Sequence, residues 1–353
     1  MSELRQQGFP AGDILWIGTQ GQMEEQLIPS AGLHLETIRG GPVVGVPLLT
    51  RLKHTAQLGW SLALANRLMA RFKPAVLLMT GGYVNVPVAL AAWLRRVPAV
   101  IYLPDIEPGS AIRFLSRFAK RVACTAAESA NYFPAGKTTV TGYPVRPELR
   151  QAANLSKAEA LAQFQLQPGR ATLFVFGGSR GARSINQALI TILPQLLTQF
   201  QIIHISGTLD WAEVEKAAGQ LPAGLRPFYR PYPYLHEQMG VAFRAADLVL
   251  ARAGASMLGE GPAFGLPAVL VPYPYAWRYQ KVNADYLAGR GAALRLEDSQ
   301  LAQQLLPTLQ QLLGNPAKLA DMSQQARQLD VPDAAGRLAI LLTTLATGGQ
   351  PHG

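Results

Sequence analysis

Glu260, Gln280 and Asn283 share one stretch with Ser256 and Met257, and their types and spacing suit recognition of a hydroxyl-rich anion. Residues 245–283 run as an apolar segment (Leu248–Ala251), small residues Ala253-Gly254-Ala255-Ser256, a helix stopped by Gly265-Leu266-Pro267, a second apolar segment (Ala268–Val271) and the loop Pro272-Tyr273-Pro274. Apolar runs this short suit buried parallel strands, and small residues let the backbone turn into a helix whose first N–H groups can face an anion. Glu260, one turn in, presents a carboxylate able to accept both hydroxyls of a ribose; the bland alternative is a capping turn with a solvated glutamate. Gln280 and Asn283 form an amide pair one helical turn apart, and Asn283 equally suits a helix cap.

The elements around this stretch repeat its grammar. An apolar strand, Leu173–Phe176, runs into Gly177-Gly178-Ser179-Arg180-Gly181-Ala182, with Asn186 one turn into the next helix. The glycines permit positive φ and close approach, Ser179 adds a hydroxyl donor, and the helix start faces the same anion. A dinucleotide site would need GxGxxG spacing and an acidic residue ending the next strand, and Ile202–Ile205 has none. Gly81-Gly82-Tyr83 follows the strand Val76–Met79 as a further tight turn, and Gly142-Tyr143-Pro144-Val145-Arg146 marks the passage between two halves of alternating strands and helices.

These stretches resemble the MurG family of family 28 glycosyltransferases over nearly the whole chain. The 245–283 block matches without a gap, Gly81-Gly82-Tyr83 matches the family's GGY, Gly142–Arg146 its GNPVR, and residues 177–182 its GGSQGA with Arg180 in place of glutamine. The resemblance implies an α/β chain of GT-B architecture, with two Rossmann-like parallel-sheet domains facing a central cleft. It also implies inverting transfer of N-acetylglucosamine from UDP-N-acetylglucosamine to undecaprenyl-diphosphate-muramoyl-pentapeptide (lipid I) in peptidoglycan synthesis. Glu260 would then hold the uridine ribose and Gln280 the donor sugar, with Gly82, Arg146, Gly178, Ser179, Ser256, Met257 and Asn283 on the substrates. Two departures stand out. Where the family reads His-Glu-Gln-Asn this chain has Tyr102-Leu103-Pro104-Asp105, so the acceptor-side carboxylate falls on Leu103, and Asp105 and Glu107 are left as candidate catalytic groups or as parts of a solvated turn. The family's first strand and its histidine-bearing GGTGGH-type loop have no counterpart before Ile14–Ile17, for residues 1–12 read as a helix tail closed by Gly8 and Pro10. The expectation is either an in-frame continuation of the gene upstream or a shortened relative. Another lipid acceptor, such as diacylglycerol, and a non-catalytic UDP-sugar-binding relative remain alternatives.

Composition fits a folded chain of two domains, since 49% of the 353 residues are hydrophobic and only 15% charged. The expected division is 1–146, a linker at 147–169, a donor-binding domain at 170–335, and a helix and tail at 336–353. Neither a metal nor a cofactor is expected, because no cluster with ligand spacing appears. The single cysteine, Cys124, fits a cytoplasmic strand thiol that packs. The net charge of +10 is concentrated in residues 1–150, which hold 16 Lys and Arg against 9 Asp and Glu, without a nucleic-acid-binding motif. Basic and large apolar residues alternate over 48–73 (Leu48, Leu49, Leu52, Leu58, Trp60 with Arg51, Lys53, Arg67, Arg71, Lys73) and 111–121 (Ile112, Phe114, Leu115, Phe118 with Arg113, Arg117, Lys120, Arg121). Either these are helices whose apolar side is core, or they dock on an anionic membrane surface, which would make the protein peripheral on the cytoplasmic face.

Overall fold

The computed structural model describes residues 2–38, 48–82, 84–178, 181–275 and 279–348. Two compact units result, one of Met1–Pro104, Pro108–Gly142 and Asp333–Gly353, the other of Asp105–Glu107 and Tyr143–Pro332. Both are Rossmann-like, as the resemblance implies.

The first unit runs α1 (Ser2–Gln6), β1 (Leu15–Thr19), α2 (Glu24–Ser30), β2 (His34–Ile38), α3 (Leu48–Phe72), β3 (Leu77–Met79), α4 (Asn85–Leu94), β4 (Ala99–Leu103), α5 (Ser110–Leu115), β5 (Arg121–Cys124) and β6 (Thr138–Val140). β1 pairs with β2, and β3-β4-β5-β6 form a second sheet, every pair parallel. All of β4 is buried because side chains on both its faces are covered. Ile101 and Leu103 join Ala89, Ile112 and Leu115, while Val100 and Tyr102 meet Leu342 from near the end of the chain. Cys124 packs in the first of these groups, and burial, then the charge of Glu128, pushes its thiol up to about 11. The amphipathic segment expected over 111–121 ends as a helix at Leu115, because Lys120 N–H already bonds Ala99 O at the start of the next strand pair. The side chains of Leu48, Leu49, Arg51, Leu52, Lys53 and Leu58 lie outside the described residues, as do Tyr83, Ser179 and Arg180.

The second unit continues with α6 (Pro147–Ala152), α7 (Lys157–Gln163), β7 (Thr172–Phe176), α8 (Arg183–Leu196), β8 (Gln201–Ile205), α9 (Trp211–Gln220), β9 (Tyr229–Tyr232), α10 (Met239–Ala245), β10 (Leu248–Ala251), α11 (Glu260–Phe264), β11 (Ala268–Leu270), α12 (Tyr279–Ala288), β12 (Ala293–Arg295), α13 (Leu301–Leu313) and α14 (Pro316–Gln328); α15 (Ala334–Ala346) belongs to the first unit. Its six strands are parallel in the order β12-β11-β10-β7-β8-β9. Residues 229–234, whose prolines read as an irregular loop, contain β9 instead; an edge strand tolerates Pro231 because one side of its backbone has no partner to satisfy. Residues 147–169 hold two helices. Pro147 opens α6, a Ser156/Glu159 capping box opens α7, and both pack on α10.

Gly240 sets that packing distance, for a Cβ there would lie 2.6 Å from Ala152 Cβ and 3.2 Å from Leu149 Cα. Gly240→Val should therefore destabilise the unit by about 1–3 kcal/mol through overpacking. Chemical denaturation checks this, and an unchanged midpoint would mean that α6 and α10 part freely.

Candidate functional site

β7 pairs with β8 on one edge and β10 on the other, so the strand order reverses there, and open α/β sheets bind ligands at the carboxyl ends of strands at such a switch point. The register is level: Phe176 faces Ala251, and Ala251 faces Leu270, so the segments after β7, β10 and β11 emerge side by side. After β7, Gly177 admits no side chain, since a Cβ would stand 2.2 Å from Ala182 N, while Gly178 is exposed at φ +86°. The fourteen-residue α8 follows at once, and its first N–H groups have no intrahelical acceptor. After β10 the chain forms a 3₁₀ turn (Ala255–Leu258) and the five-residue α11 in place of the single helix expected. Met257 N–H bonds Gly254 O and the Met257 side chain is buried, so Met257 shapes the turn from within. The longer dipole thus belongs to α8.

Glu260 opens α11 at only 8% exposure. Burial raises its carboxyl above the usual range, opposed by a hydrogen bond from half-buried Ser256 and by the charge of Arg146. It is therefore no solvated glutamate. Tyr143 backs the same corner: a Cβ on Gly259 would lie 2.7 Å from Tyr143 Cβ and Cδ1. Burial, followed by the Glu260 charge, pushes the Tyr143 phenol up to about 12, against the pull of Arg146 and with that of Asp105. Arg146 itself is exposed, at the N-cap of α6. Sequence reasoning passed over Tyr143, whose only signal is its place in the motif.

Asn283 is 1% exposed inside α12, which rules out the capping role, and the structure uses its whole amide. Its Oδ1 accepts from Ile106 N–H at 3.1 Å, while Nδ2 donates to Asp105 Oδ1 at 2.8 Å and Ala253 O at 3.1 Å. Asn283, expected among substrate contacts, holds residues 105–106 against the turn after β10. Burial raises the Asp105 carboxyl, with the Asn283 hydrogen bond opposing. Glu107 is 6% exposed, so neither acid sits in a solvated turn. Gln280 accepts from Tyr273 N–H at 2.8 Å and so fixes the loop after β11. Beneath these segments Arg252 donates to Ser184 Oγ at 2.7 Å and pairs with Asp298, which also accepts from Ser184 at 2.7 Å. An arginine directly after an apolar strand was the available sign of this brace. Gly82 lies in the first unit, exposed at φ +94° in the turn after β3.

Comparison with known proteins gives consistent matches. Residues 1–124 match the glycosyltransferase family 28 N-terminal domain, and residues 172–338 the family 28 C-terminal domain. A relative from Roseiflexus sp. (strain RS-1), named UDP-N-acetylglucosamine--N-acetylmuramyl-(pentapeptide) pyrophosphoryl-undecaprenol N-acetylglucosamine transferase, is 42% identical over 95% of this chain and 84% of its own. One of the same name from Desulforudis audaxviator is 36% identical over 96% and 92%. The crystal structure of Acinetobacter baumannii MurG superposes with a TM-score of 0.75 at 27% identity, covering 97% of this chain and 93% of that one. A UDP-GlcNAc 2-epimerase from Neisseria meningitidis shares the fold, with a TM-score of 0.63 at 12% identity, covering 95% and 91%.

The raised Glu260 carboxyl has a signed consequence. Between the ordinary value of 4.5 and its higher folded value, the folded state holds the proton that the unfolded state has lost. Stability from this group is thus fully present below 4.5 and is lost as pH rises through the folded value. Glu260→Gln should melt higher than the unmodified chain near pH 7, with the gap closing toward pH 4. A gap independent of pH would show that Glu260 titrates normally.

Proposed function

Since the chain belongs to glycosyltransferase family 28, we propose that it transfers N-acetylglucosamine from UDP-N-acetylglucosamine to lipid I, an undecaprenyl-diphosphate-linked muramoyl-pentapeptide, giving lipid II. The observation that carries the donor half is the buried Glu260 carboxylate beside the Gly-rich turn at the β7/β10 switch point. Two ribose hydroxyls would donate to it, supplying what burial removed. In this reading Gly178 and the start of α8 serve the diphosphate, Ser256, Arg146 and Gln280 the nucleotide sugar, and Gly82 the acceptor, while Ser179 is assigned to the diphosphate by its place in the motif alone.

The reaction is an in-line displacement. The acceptor hydroxyl oxygen forms a bond to the anomeric carbon as the bond from that carbon to the diphosphate oxygen breaks, and UDP leaves with its charge met by turn amides and the α8 dipole. Asp105 takes the hydroxyl proton. Its desolvation raises its basicity, and Asn283 holds one of its oxygens, leaving the other for the substrate.

Membrane docking uses the first unit. Trp93 (58% exposed), Leu94 and Phe114 are exposed large apolar residues, and Phe118 meets both Trp93 and Phe114 edge-on. Arg95, Arg96, Arg113, Arg117 and Lys120 are exposed nearby in sequence. This mixture suits the anionic surface where a polyprenyl acceptor resides, at the cytoplasmic face.

UDP-N-acetylglucosamine at a hundredfold excess over Kd should stabilise the chain by about 2.7 kcal/mol in thermal melts. Glu260→Gln should weaken UDP binding by roughly tenfold in calorimetry, and equal affinity would take Glu260 out of the site. Asp105→Asn preserves an acceptor for Asn283, so UDP affinity should hold while kcat with a lipid I analogue falls by about a hundredfold or more. A kcat within a few-fold of the unmodified enzyme would remove Asp105 as the base.

A further inference from the structure

Beneath the Gly-rich turn lies a line of buried polar groups that the reaction does not touch. Tyr229, His204 and Asn186 are 3%, 0% and 1% exposed and come from β9, β8 and α8. The Tyr229 hydroxyl lies 2.7 Å from His204 Nδ1, and His204 Nε2 lies 3.0 Å from Asn186 Oδ1. Asn186 Nδ2 donates to Ser206 O at 2.9 Å and to Asp210 Oδ2 at 2.8 Å. Those two acceptors settle the rest. With the Asn186 amide nitrogen facing a carbonyl and a carboxylate, its oxygen faces His204, which must carry its proton on Nε2; Nδ1 then accepts from the tyrosine. The hydrogen bonds run one way, from Tyr229 through His204 and Asn186 to Ser206. Burial supports the neutral ring this needs, pushing His204 down to about 3.

The line ends where the turn rests. Gly181 has φ +77°, and a Cβ built on it would lie 2.3 Å from Ser206 O, the carbonyl that Asn186 holds. Backbone of the turn therefore rests directly on an atom whose place is set by the amide, and the amide's by the imidazole. We infer that Tyr229, His204 and Asn186 are positioning residues that set the height of the Gly181 backbone, where the chain enters α8, and thereby the fit of that helix start to the donor diphosphate. This rests on the donor-site reading above.

Tyr229→Phe removes one donor and keeps the ring, which leaves His204 Nδ1 without its partner and loosens the imidazole beneath Asn186. It should raise both the UDP Kd in calorimetry and the KM for UDP-N-acetylglucosamine by about threefold to tenfold, leaving the KM for the lipid acceptor unchanged. Leu189→Ala, on the apolar side of the same helix, should lower the melting temperature and leave the UDP Kd alone. In the unmodified chain, ¹⁵N spectra of labelled histidine should show one ring, His204, as the Nε2–H tautomer without titration across neutral pH. UDP binding by the unmodified chain with an unchanged Kd in Tyr229→Phe, or a His204 ring protonated on Nδ1, would overturn this inference alone. Failure of the unmodified chain to bind UDP would overturn the donor-site reading and this inference with it.

Discussion

The second unit depends on where β7 sits. It is the strand on which the chain reverses direction across the sheet, first laying β8 and β9 on one edge and then returning to place β10, β11 and β12 on the other. The connections from β7 and β10 leave toward opposite edges, so no crossover covers the gap above their carboxyl ends. Level pairing of Phe176, Ala251 and Leu270 then brings three segments to one height. The Gly-rich turn, the turn leading to Glu260 and the loop held by Gln280 are neighbours for that reason alone, although about a hundred residues of sequence separate the first from the last.

Polar burial around this gap divides into two kinds. Arg252 with Ser184 and Asp298, and Asn186 with His204, Asp210 and Ser206, are networks whose donors meet acceptors within the protein. Each such hydrogen bond adds on the order of 1 kcal/mol, and an orphaned partner would cost about 1–3 kcal/mol, so these networks fix geometry firmly. Glu260 and Asp105 are the opposite case, for desolvation outweighs the hydrogen bonds each receives and both carboxyls are raised. Among the described carboxyls of this unit, Glu260 and Asp105 are thus the two that burial raises, while the networks around them meet their own hydrogen-bonding needs within the protein.

Much of this was legible from residue order. Short apolar runs gave β10 at the residues observed and β3, β7 and β8 to within a residue, and glycines after strands marked the turns at Gly82 and Gly178, both with positive φ. Local signals failed where the decisive partner is remote or the pattern is too brief. β6 and β12 have three residues each, too few to show a period, and prolines disguised β9. The hydrogen bond from Asn283 to Asp105, 178 positions away, left no local signal. The reach of its amide exists only once the chain has folded.

The departure at residues 102–105 can be understood from the same geometry. Leu103 is the last residue of β4, wholly buried against the side chains of Ile112 and Leu115, so a carboxylate at that position in this chain would be a charge in an apolar core. Polar character therefore has to enter past the strand end. Two acids are available there, and burial separates them. Glu107, followed by Pro108, is 6% exposed and leaves little room for an incoming hydroxyl, whereas Asp105 is half-buried with one oxygen held by Asn283. A group that accepts a proton from substrate needs one oxygen fixed and the other reachable, together with enough desolvation to raise its basicity. Asp105 has one oxygen fixed and a carboxyl raised by desolvation, and Ile106 N–H bonded to the same Asn283 holds the adjoining backbone in place.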